Sequence, residues 1–305
     1  MLTTLIEEYG SNTVVQLAEV EIPVPQAGEV LVRVLAAGVN PVDWKIRNGA
    51  GARMGMTLPI RLGSEFVGVV ERTGTNVAGF SQGDAVCGMV KTGAFSEYLT
   101  VPAANIVCKP EGLSVEEAAA LPLAGTTAWQ AMFDEAGLAA GQRLLITGAS
   151  GGVGSLAVQL AKAAGAHVTA VCSTRNIDFV RGLGADAVVD YTKCRVEEAV
   201  HDMDVVLDTV GAETFQRTLT TLRPGGAMVT VVAFPNGDEA ERHGVTVKRA
   251  FTVPSADTLA RICALVGAGK VTPHVERTFG LTEVREALDL SEAGRARGKI
   301  VLKTA

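Results

Sequence analysis

The alternation of apolar and polar positions divides the chain into two regions. Residues 12–38 alternate between apolar and polar positions and are interrupted by prolines and glycines. Short strands, each bounded by glycine or proline, are predicted at Gly28–Leu35, Phe66–Arg72, Ala85–Met89 and Tyr98–Val101. Strands of this length and spacing are typical of a small antiparallel, barrel-like domain. The first part of the chain is therefore predicted to be β-rich.

The second region alternates short apolar strands with helices. The predicted strands are 143–147, 167–172, 187–190, 205–208 and 227–232. This pattern is typical of a parallel sheet with right-handed crossovers. Helical segments at 114–136, divided by Pro122, precede the region, and a helix at 255–268 follows it. A strand near 274–279, a helix at 283–293 and a last strand at 299–303 complete the predicted α/β chain.

A glycine-rich turn follows the strand that begins at Arg143. Residues without a Cβ let the backbone approach a pyrophosphate closely, and the first N–H groups of the next helix point at the anion. Ala149 stands where the first glycine of G-x-G-x-x-G would be. An ordinary strand-to-helix turn is the alternative, but the strand at 167–172 completes a βαβ unit. The predicted dinucleotide-binding residues are Ser150, Gly151, Gly152, Val153 and Gly154.

The tip of the second strand of this unit indicates which dinucleotide binds. Proteins that bind NAD place Asp or Glu there, on the ribose 2′-hydroxyl, whereas this chain has Ser173 and Arg175. A 2′-phosphate could take a hydrogen bond from Ser173 and a charge-assisted contact from Arg175, so we predict NADP(H). A solvated loop arginine is the alternative. Asp208, Thr209 and Val210 end another strand, where ligands of such sheets bind.

Composition and charge exclude several classes of partner. With 305 residues, 48% of them hydrophobic, the chain can form two domains with substantial cores. A formal charge of -6 argues against nucleic acid or an anionic membrane surface as a partner. No apolar run is long enough to span a bilayer, and the N-terminus does not resemble a signal peptide. We therefore expect a soluble, cytoplasmic protein.

The order of a β-rich region followed by a dinucleotide fold, together with five stretches, resembles a known family. These stretches are 36–45, 63–70, 124–128, 148–154 and 298–302. They resemble the medium-chain dehydrogenase/reductase superfamily, in particular its zinc-free quinone oxidoreductase (zeta-crystallin-like) and alkenal reductase branch. The resemblance implies a GroES-like catalytic domain made of residues 1–120 and 264–305. It also implies a Rossmann domain over residues 121–263.

The resemblance allows a test for zinc. Alcohol dehydrogenases of the superfamily bind catalytic zinc through a cysteine where this chain has Asn40 and a histidine where it has Ser64. Their third ligand stands near 121–127, where this chain has neither Cys nor His. Zinc sites need Cys, His or carboxylate ligands at defined spacing. We therefore predict no metal.

The family also implies the chemistry and the residues on the acceptor side. Without a Lewis acid, alcohol oxidation is disfavoured, whereas hydride from NADPH can add to a quinone or to the β-carbon of an α,β-unsaturated carbonyl. By resemblance, Asn40 in the loop Asn40–Arg47 faces the nicotinamide and substrate, and Asp43, Trp44 and Lys45 shape or charge the pocket. Lys45 could donate to the developing enolate oxygen. The alternatives are a loop-capping Asp43 and a solvated Lys45.

Further cofactor contacts are implied by the same resemblance. Thr126 matches a threonine that contacts the nicotinamide, with a helix cap as its alternative. Tyr191 matches a tyrosine near the adenosine phosphate, although an exposed loop tyrosine fits equally. Residues that fall where the family lines the nicotinamide side, with plain core packing as the alternative, are Ala233, Phe234, Phe251 and Val253.

Two other functions compete with a quinone or enal/enone reductase. A reductase of acyl-CoA or another specialised enoyl substrate would need a basic patch, for which Arg47, Arg53 and Arg61 are scattered candidates. A non-catalytic NADPH-binding sensor or structural protein is the other possibility. The strand near Val245–Phe251 could be a sheet edge that pairs across a two-fold axis, so we expect a homodimer.

Overall fold

The structure is a computed structural model that describes residues 1–235 and 237–304 of the chain. The chain divides into two compact units. Unit 1 comprises Met1–Leu123, Pro254–Gly267 and Pro273–Ala305, and unit 2 comprises Ala124–Val253 and Ala268–Thr272. None of the helices within the described ranges has the length and hydropathy needed to cross a bilayer.

Strands and short helices alternate along most of the chain. The strands are β1 (Leu2–Ile6), β2 (Gln16–Glu19), β3 (Glu29–Val39), β4 (Ile60–Arg61), β5 (Glu65–Thr73), β6 (Ala85–Met89), β7 (Tyr98–Pro102), β8 (Ile106–Cys108), β9 (Arg143–Ile146), β10 (His167–Cys172), β11 (Ala187–Asp190), β12 (Met203–Asp208), β13 (Leu222–Thr230), β14 (Thr246–Arg249), β15 (Val275–Gly280) and β16 (Lys299–Lys303). The helices are α1 (Pro41–Lys45), α2 (Gly51–Arg53), α3 (Val115–Ala119), α4 (Pro122–Trp129), α5 (Gly152–Ala163), α6 (Ile177–Gly182), α7 (Val196–Ala199), α8 (Ala212–Leu219), α9 (Gly237–His243), α10 (Ala256–Gly267) and α11 (Val284–Glu292). A π-helical turn, Gln130–Glu135, extends α4, and the segment Ile46–Ala50 joins α1 to α2 through a kink at Asn48 and Gly49.

Unit 1 is organised around the long strand β3. The larger sheet has the order β15-β16-β3-β5-β6-β8, and β7 pairs with the first half of β3; a second sheet has the order β2-β1-β4. All of these pairs are antiparallel except β15 with β16. β3 extends four residues beyond the predicted strand Gly28–Leu35, because residues 36–39 pair with β16 and residues 36–38 pair with β5. The C-terminal strand therefore completes the sheet that begins near the N-terminus.

Unit 2 is a doubly wound parallel sheet. Its strand order is β11-β10-β9-β12-β13-β14, and every pair is parallel. Counted from β9, this is the order 3-2-1-4-5-6 of dinucleotide-binding folds. The predicted α/β fold class is confirmed. Because the order reverses between β9 and β12, the turn after β9 and the residues after β12 lie side by side at the carboxyl ends of the strands.

The prediction of a loop over Asn40–Arg47 is wrong, because the residues after Asn40 form a helix. Pro41–Lys45 form α1, which continues through Ile46 and Arg47 to a kink at Asn48 and Gly49, whose φ/ψ are not helical. Pro41 occupies the first helical position, where its fixed φ is already helical and its missing N–H is not needed. The Asp43 carboxylate accepts the backbone N–H of Asn40 at 2.7 Å and closes the start of the helix. Asn40 is thus the N-cap residue of a helix.

The units differ in extent from the two predicted domains. Helix α10 groups with unit 1, although the domain boundary was predicted at residues 263 and 264. Leu259, Ile262 and Val266 are buried along one face of α10, which contacts β8. The next segment returns to unit 2 because Gln159 of α5 exchanges two hydrogen bonds with the Thr272 backbone, at 2.8 and 3.1 Å.

The edge strand of unit 2 is β14. It pairs with β13 and stands last in the order of the sheet. The strand that was predicted near Val245–Phe251 therefore lies at a sheet edge, where backbone groups are available for pairing. The homodimer itself stays a prediction.

Candidate functional site

Two glycines of the turn between β9 and α5 are required by its own packing. Gly148 has a φ of +61°, and a Cβ there would overlap the hydroxyl oxygen of Thr209. A Cβ on Gly154 would lie 2.7 Å from the Cα of Ala149 and closer still to the Gly148 carbonyl oxygen. Ala149 is fully buried and donates its N–H to the Val171 carbonyl at 3.1 Å. The turn is therefore tight without a glycine at position 149.

The first turn of α5 can receive an anion. The helix begins at Gly152, after Gly151 in an extended conformation. Helical geometry leaves the N–H groups of Gly152, Val153 and Gly154 without acceptors inside the helix. No acidic side chain lies in this turn, and the space above Gly151 is open except for one carbonyl oxygen at 3.3 Å. These features fit the pyrophosphate of a dinucleotide.

An asparagine links the turn after β9 to the tip of β10. The side-chain amide of Asn176 donates to the hydroxyl oxygen of Ser150 at 2.9 Å and to that of Ser173 at 3.4 Å. The side chain of Arg175 is exposed. The structure thus brings Ser150 and Ser173 together, and the sequence analysis missed the residue that does so.

The carboxylate of Asp190, at the end of β11, binds hydroxyl groups from the turns that follow β10 and β11. Asp190 accepts hydrogen bonds from the hydroxyls of Thr174 at 2.6 Å and Thr192 at 2.7 Å. These bonds hold the pKa of Asp190 below its ordinary value. Tyr191 follows it with 62% of its surface exposed. The ring of Tyr191 is thus accessible to a ligand, whereas Asp190 orders the loop.

Asp208 holds strand ends together. It is fully buried. Its carboxylate accepts hydrogen bonds from the Thr147 hydroxyl (3.0 Å), the Val210 N–H (3.1 Å), the Gly211 N–H (2.9 Å) and the Thr230 hydroxyl (2.7 Å). Three of these bonds go to Oδ1 and one to Oδ2, and burial keeps the carboxylate out of reach of a ligand. The other two residues predicted at this strand end are Thr209 and Val210. The Thr209 hydroxyl donates to the Thr147 carbonyl at 2.7 Å, whereas Val210 is half exposed. At this end of β12, a ligand could therefore contact the Val210 side chain and the backbone, but not the Asp208 carboxylate.

Phe234 and Phe251 meet at an arginine that the sequence analysis did not single out. The guanidinium carbon of Arg249 lies 3.5 Å from the ring centroid of Phe234 and 4.8 Å from that of Phe251. The two rings are 81% and 68% exposed, and Val253 is 61% exposed. Exposure of this extent rules out plain core packing for these three residues. Ala233 joins the cluster through its carbonyl oxygen, which accepts from Arg249 at 2.8 Å.

Thr126 has a buried hydroxyl without a partner. The residue is fully buried, and its Oγ1 has no hydrogen-bond partner within residues 1–235 and 237–304. It lies inside α4, which begins at Pro122, so it is not the cap of that helix. An unsatisfied buried hydroxyl costs about 1–3 kcal/mol. A ligand group at this hydroxyl would remove that cost.

Unit 1 contains a buried ion pair that also fixes Asn40. The ammonium of Lys299 on β16 lies 2.7 Å from the carboxylate of Glu65 on β5, and both side chains are buried. Lys299 also donates to the side-chain oxygen of Asn40 and to the Val39 carbonyl. The Asn40 amide donates to Glu65 at 2.8 Å and to the Gly38 carbonyl at 3.1 Å.

The sequence analysis singled out Asn40 but missed Glu65 and Lys299. The amide group of Asn40 is used in full inside this cluster, which leaves no hydrogen for a substrate. Gly38 is required beneath the cluster, because a Cβ there would overlap the Glu65 carboxylate. The motif 63–70 contains Glu65 and the motif 298–302 contains Lys299, yet neither motif shows that the two residues meet.

Asp43 lies beside this cluster. Burial raises the pKa of Asp43 to about 7, against the Asn40 N–H bond and the positive charge of Lys299, which lower it. Its second oxygen is 3.5 Å from the Ser64 hydroxyl. The carboxyl group therefore retains its proton well above the pH at which an exposed aspartate ionises.

Stability should reflect this retained proton. As pH rises from about 4 to about 7, the unfolded chain releases the Asp43 proton while the folded protein keeps it. Stability therefore falls over this window relative to an Asp43→Asn variant, by at most about 1.4 kcal/mol per pH unit. Urea unfolding of both proteins between pH 4 and pH 8 measures the difference. Asp257→Asn, which changes an exposed carboxylate of α10, should leave the slope of the native protein unchanged. Parallel curves for the native protein and Asp43→Asn would contradict the assignment.

Trp44 and Lys45 form a local pair. The ammonium of Lys45 lies 5.4 Å from the ring centroid of Trp44. The indole N–H of Trp44 is buried and has no acceptor in the described part of the chain. Unit 1 thus presents one unsatisfied donor next to a half-buried ammonium group.

Arg47 is buried, and its guanidinium is hydrogen-bonded to three other side chains. It is 1% exposed and donates to Glu292 at 2.6 Å and to Asn12 at 2.9 Å. Asn48 accepts from the same guanidinium at 2.9 Å. Arg47 therefore links the segment after α1 to α11 and cannot belong to a surface patch that binds phosphates.

The donor groups around Asn40 do not fit a zinc ion. Its amide is engaged by Lys299 and Glu65, and Ser64 offers only a hydroxyl. An adjacent ammonium repels a cation. In the described residues no three His, Cys, Asp or Glu side chains are grouped so that they could hold a metal ion.

Two family models match the chain. The model of the alcohol dehydrogenase GroES-like domain matches residues 26–111, and the model called zinc-binding dehydrogenase matches residues 183–302. Among curated relatives, the mitochondrial NAD(P)H oxidoreductase RTN4IP1 of Mus musculus is 38% identical over 98% of this chain and 88% of its own. The 2-methylene-furan-3-one reductase of Solanum lycopersicum is 34% identical over 97% of this chain and 77% of its own. The chloroplast envelope quinone oxidoreductase homolog of Arabidopsis thaliana is 33% identical over 97% and 96%.

Solved structures show the same architecture. The quinone oxidoreductase from Coxiella burnetii superposes with a TM-score of 0.94 at 31% identity, over 100% of this chain and 99% of its own. The Escherichia coli quinone oxidoreductase complexed with NADPH superposes with a TM-score of 0.91 at 25% identity, over the full length of both chains. The predicted resemblance is confirmed along the whole chain.

Proposed function

The chain belongs to the medium-chain dehydrogenase/reductase superfamily, and on that basis we propose that it is an NADPH-dependent oxidoreductase that reduces activated acceptors without zinc. The acceptor is a quinone or an α,β-unsaturated carbonyl compound. Relatives named NAD(P)H oxidoreductase, quinone oxidoreductase and 2-methylene-furan-3-one reductase support this class. The observation that carries the proposal is Asn40, which stands where alcohol dehydrogenases have a cysteine ligand of zinc and whose side-chain amide is engaged by Glu65 and Lys299.

The residues of unit 2 fit NADPH. The N–H groups at the start of α5 would receive the pyrophosphate, and Ser173 with Arg175 would receive the 2′-phosphate. The unsatisfied hydroxyl of Thr126 would bind the nicotinamide carboxamide. When bound, the nicotinamide supplies a hydride.

The acceptor class is inferred from the hydrogen-bond donors of unit 1. An alkoxide needs strong charge stabilisation, and the side chains around Asn40, which are engaged by the Lys299 ammonium, do not form a ligand set for a Lewis-acid metal. A quinone or enone spreads the incoming charge onto an oxygen that needs only modest hydrogen bonding. The buried indole N–H of Trp44 and the ammonium of Lys45 are the donors we assign to that oxygen.

The test is NADPH oxidation by EDTA-treated protein, followed at the near-ultraviolet absorbance of NADPH. The acceptors are benzoquinone, phenanthrenequinone, acrolein, a vinyl ketone and a simple saturated aldehyde. We expect turnover of all but the saturated aldehyde. Turnover that required added zinc, or that favoured the saturated aldehyde, would refute the proposal. NADPH binding without any turnover would instead favour a sensor or structural protein.

Cofactor choice is tested by Arg175→Ala. Loss of a charge-assisted contact with the 2′-phosphate should lower kcat/KM for NADPH, and the loss corresponds to about 1.5–3 kcal/mol of transition-state stabilisation. The value of kcat/KM for NADH should change little. Steady-state kinetics with both cofactors measures this difference. Arg181→Ala, which removes an exposed arginine of α6, is the control and should change neither value. Equal losses with NADPH and NADH would eliminate the phosphate role of Arg175.

We also propose that the protein is a cytoplasmic homodimer whose subunits pair along β14. The position of β14 at the sheet edge supports the pairing. Neither nucleic acid nor a membrane is proposed as a partner, in keeping with the formal charge of -6.

A further inference from the structure

We propose that a depression in unit 1 binds the anionic group of an acceptor, either a carboxylate or a phosphate. The depression has a volume of about 290 Å³ and is lined by residues from two segments, 55–61 and 91–92. Its charged lining residues are Arg61 and Lys91, and no acidic side chain lines it. The inference rests on the proposed reductase function, because it names the substrate class of that enzyme.

Both cations are available to a ligand. Within residues 1–235 and 237–304, neither Arg61 nor Lys91 has a hydrogen-bond or ion-pair partner. Arg61 is only half exposed, so its guanidinium has lost part of its hydration. A partly buried charge without a counter-ion is costly, and an anion in the depression would offset that cost. Two hydroxyls, of Thr57 and Thr92, also line the depression and can donate to the same group.

The lining is held in place by backbone hydrogen bonds. Arg61 ends β4, which pairs with β1. The N–H of Gly93 donates to the Leu62 carbonyl at 3.2 Å, which joins the segment that carries Lys91 to the segment that carries Arg61. The guanidinium group of Arg61 packs against Gly93, where a Cβ would lie 3.5 Å from its Nη2. The segments that carry the two charges are therefore joined to each other and to β1 by backbone hydrogen bonds.

Ser64 connects the segments that line the depression to α1, the helix that carries Trp44 and Lys45. Ser64 follows Arg61 by three positions and accepts the N–H of Val90, the neighbour of Lys91, at 3.0 Å. Ser64 in turn contacts Asp43 of α1. A volume of about 290 Å³ is at the lower limit of small-molecule pockets, so it suits one charged group of a larger acceptor.

The experiment compares two acceptors that share an enone and differ in charge. Acetylacrylic acid carries a carboxylate, and methyl acetylacrylate does not. In the Arg61→Gln/Lys91→Gln double variant, the acid-to-ester ratio of kcat/KM should fall about tenfold or more relative to the native protein. The control Arg72→Gln removes another exposed cation of unit 1, one outside the depression, and should keep the native ratio.

A binding measurement separates the two sources of the anion and does not need turnover. Inorganic phosphate, compared with chloride at equal ionic strength and saturating NADP⁺, should raise the Tm of the native protein but not of the double variant. A fall in the acid-to-ester ratio in the double variant assigns the site to a carboxylate. Variant-dependent phosphate protection with an unchanged ratio assigns it to a phosphate-bearing acceptor. If the native protein reduces neither acceptor, the proposed function fails while phosphate protection still decides the site. An unchanged ratio together with equal Tm shifts would overturn the inference.

Discussion

Replacing Lys299 by methionine is expected to lower the free energy of unfolding by about 3–5 kcal/mol. The substitution leaves the carboxylate of Glu65 in a fully buried position without its counter-charge. It also removes the donor to the Asn40 side-chain oxygen and to the Val39 carbonyl. Because these groups join β16, β3 and β5, the substitution should destabilise the larger sheet of unit 1 as a whole.

Urea unfolding followed by circular dichroism measures the effect, and two variants serve as controls. Lys303→Met changes the exposed lysine of the same strand, whose ion pair with Glu116 lies at the surface, and should cost less than about 1 kcal/mol. The double variant Lys299→Met/Glu65→Gln removes both buried charges and should recover more than half of the loss. If the single variant lost less than about 1 kcal/mol of unfolding free energy, the buried Glu65 charge would not depend on Lys299 for its compensation, and the assignment would be wrong.

Replacing Gly154 by alanine should weaken NADPH binding about tenfold or more and destabilise the protein by about 1–3 kcal/mol. The new Cβ would lie 2.7 Å from the Cα of Ala149 and closer to the Gly148 carbonyl oxygen. Both neighbours are backbone, so they cannot rotate away, and α5 must shift outward. The shift moves the N–H groups that we assign to the pyrophosphate.

The matched control is another helical glycine of unit 2. Gly182 in α6 has no heavy atom within 4 Å of the position that a Cβ would occupy. Gly182→Ala should therefore stabilise the protein by about 0.5–1 kcal/mol through helix propensity and leave NADPH binding unchanged. Fluorescence titration with NADPH and thermal unfolding measure both properties. Native affinity in Gly154→Ala would show that the start of α5 does not hold the cofactor.

Much of the architecture could be predicted from local pattern. The strands at 143–147 and 167–172 and the helix at 255–268 occur within about two residues of their predicted limits. Such segments are recognisable because apolar periodicity and turn glycines are local properties of the chain. The error over Asn40–Arg47 has a local cause as well, because Pro41 is a signal for the first turn of a helix.

The contacts of individual site residues could not be predicted in this way. Asp208 stands at the end of β12 as the pattern indicates, yet its four hydrogen bonds come from the residue after β9, the last residue of β13 and the turn that follows β12. Arg249 was overlooked, although it joins Phe234 and Phe251. Each residue has partners that are distant in sequence, such as Thr147 for Asp208 and Phe234 for Arg249, and periodicity carries no information about which side chains meet.

By itself the sequence determined the doubly wound sheet, the glycine-rich turn and the family, because each depends on short-range periodicity or on motifs of consecutive residues. Only the tertiary structure decided that Asn40 is held between Glu65 and Lys299, which are 234 positions apart. The same is true of the proton retained by Asp43 and of the two cations at one depression. Burial and charge proximity arise only when distant segments pack together, and these two quantities set the chemistry of a side chain.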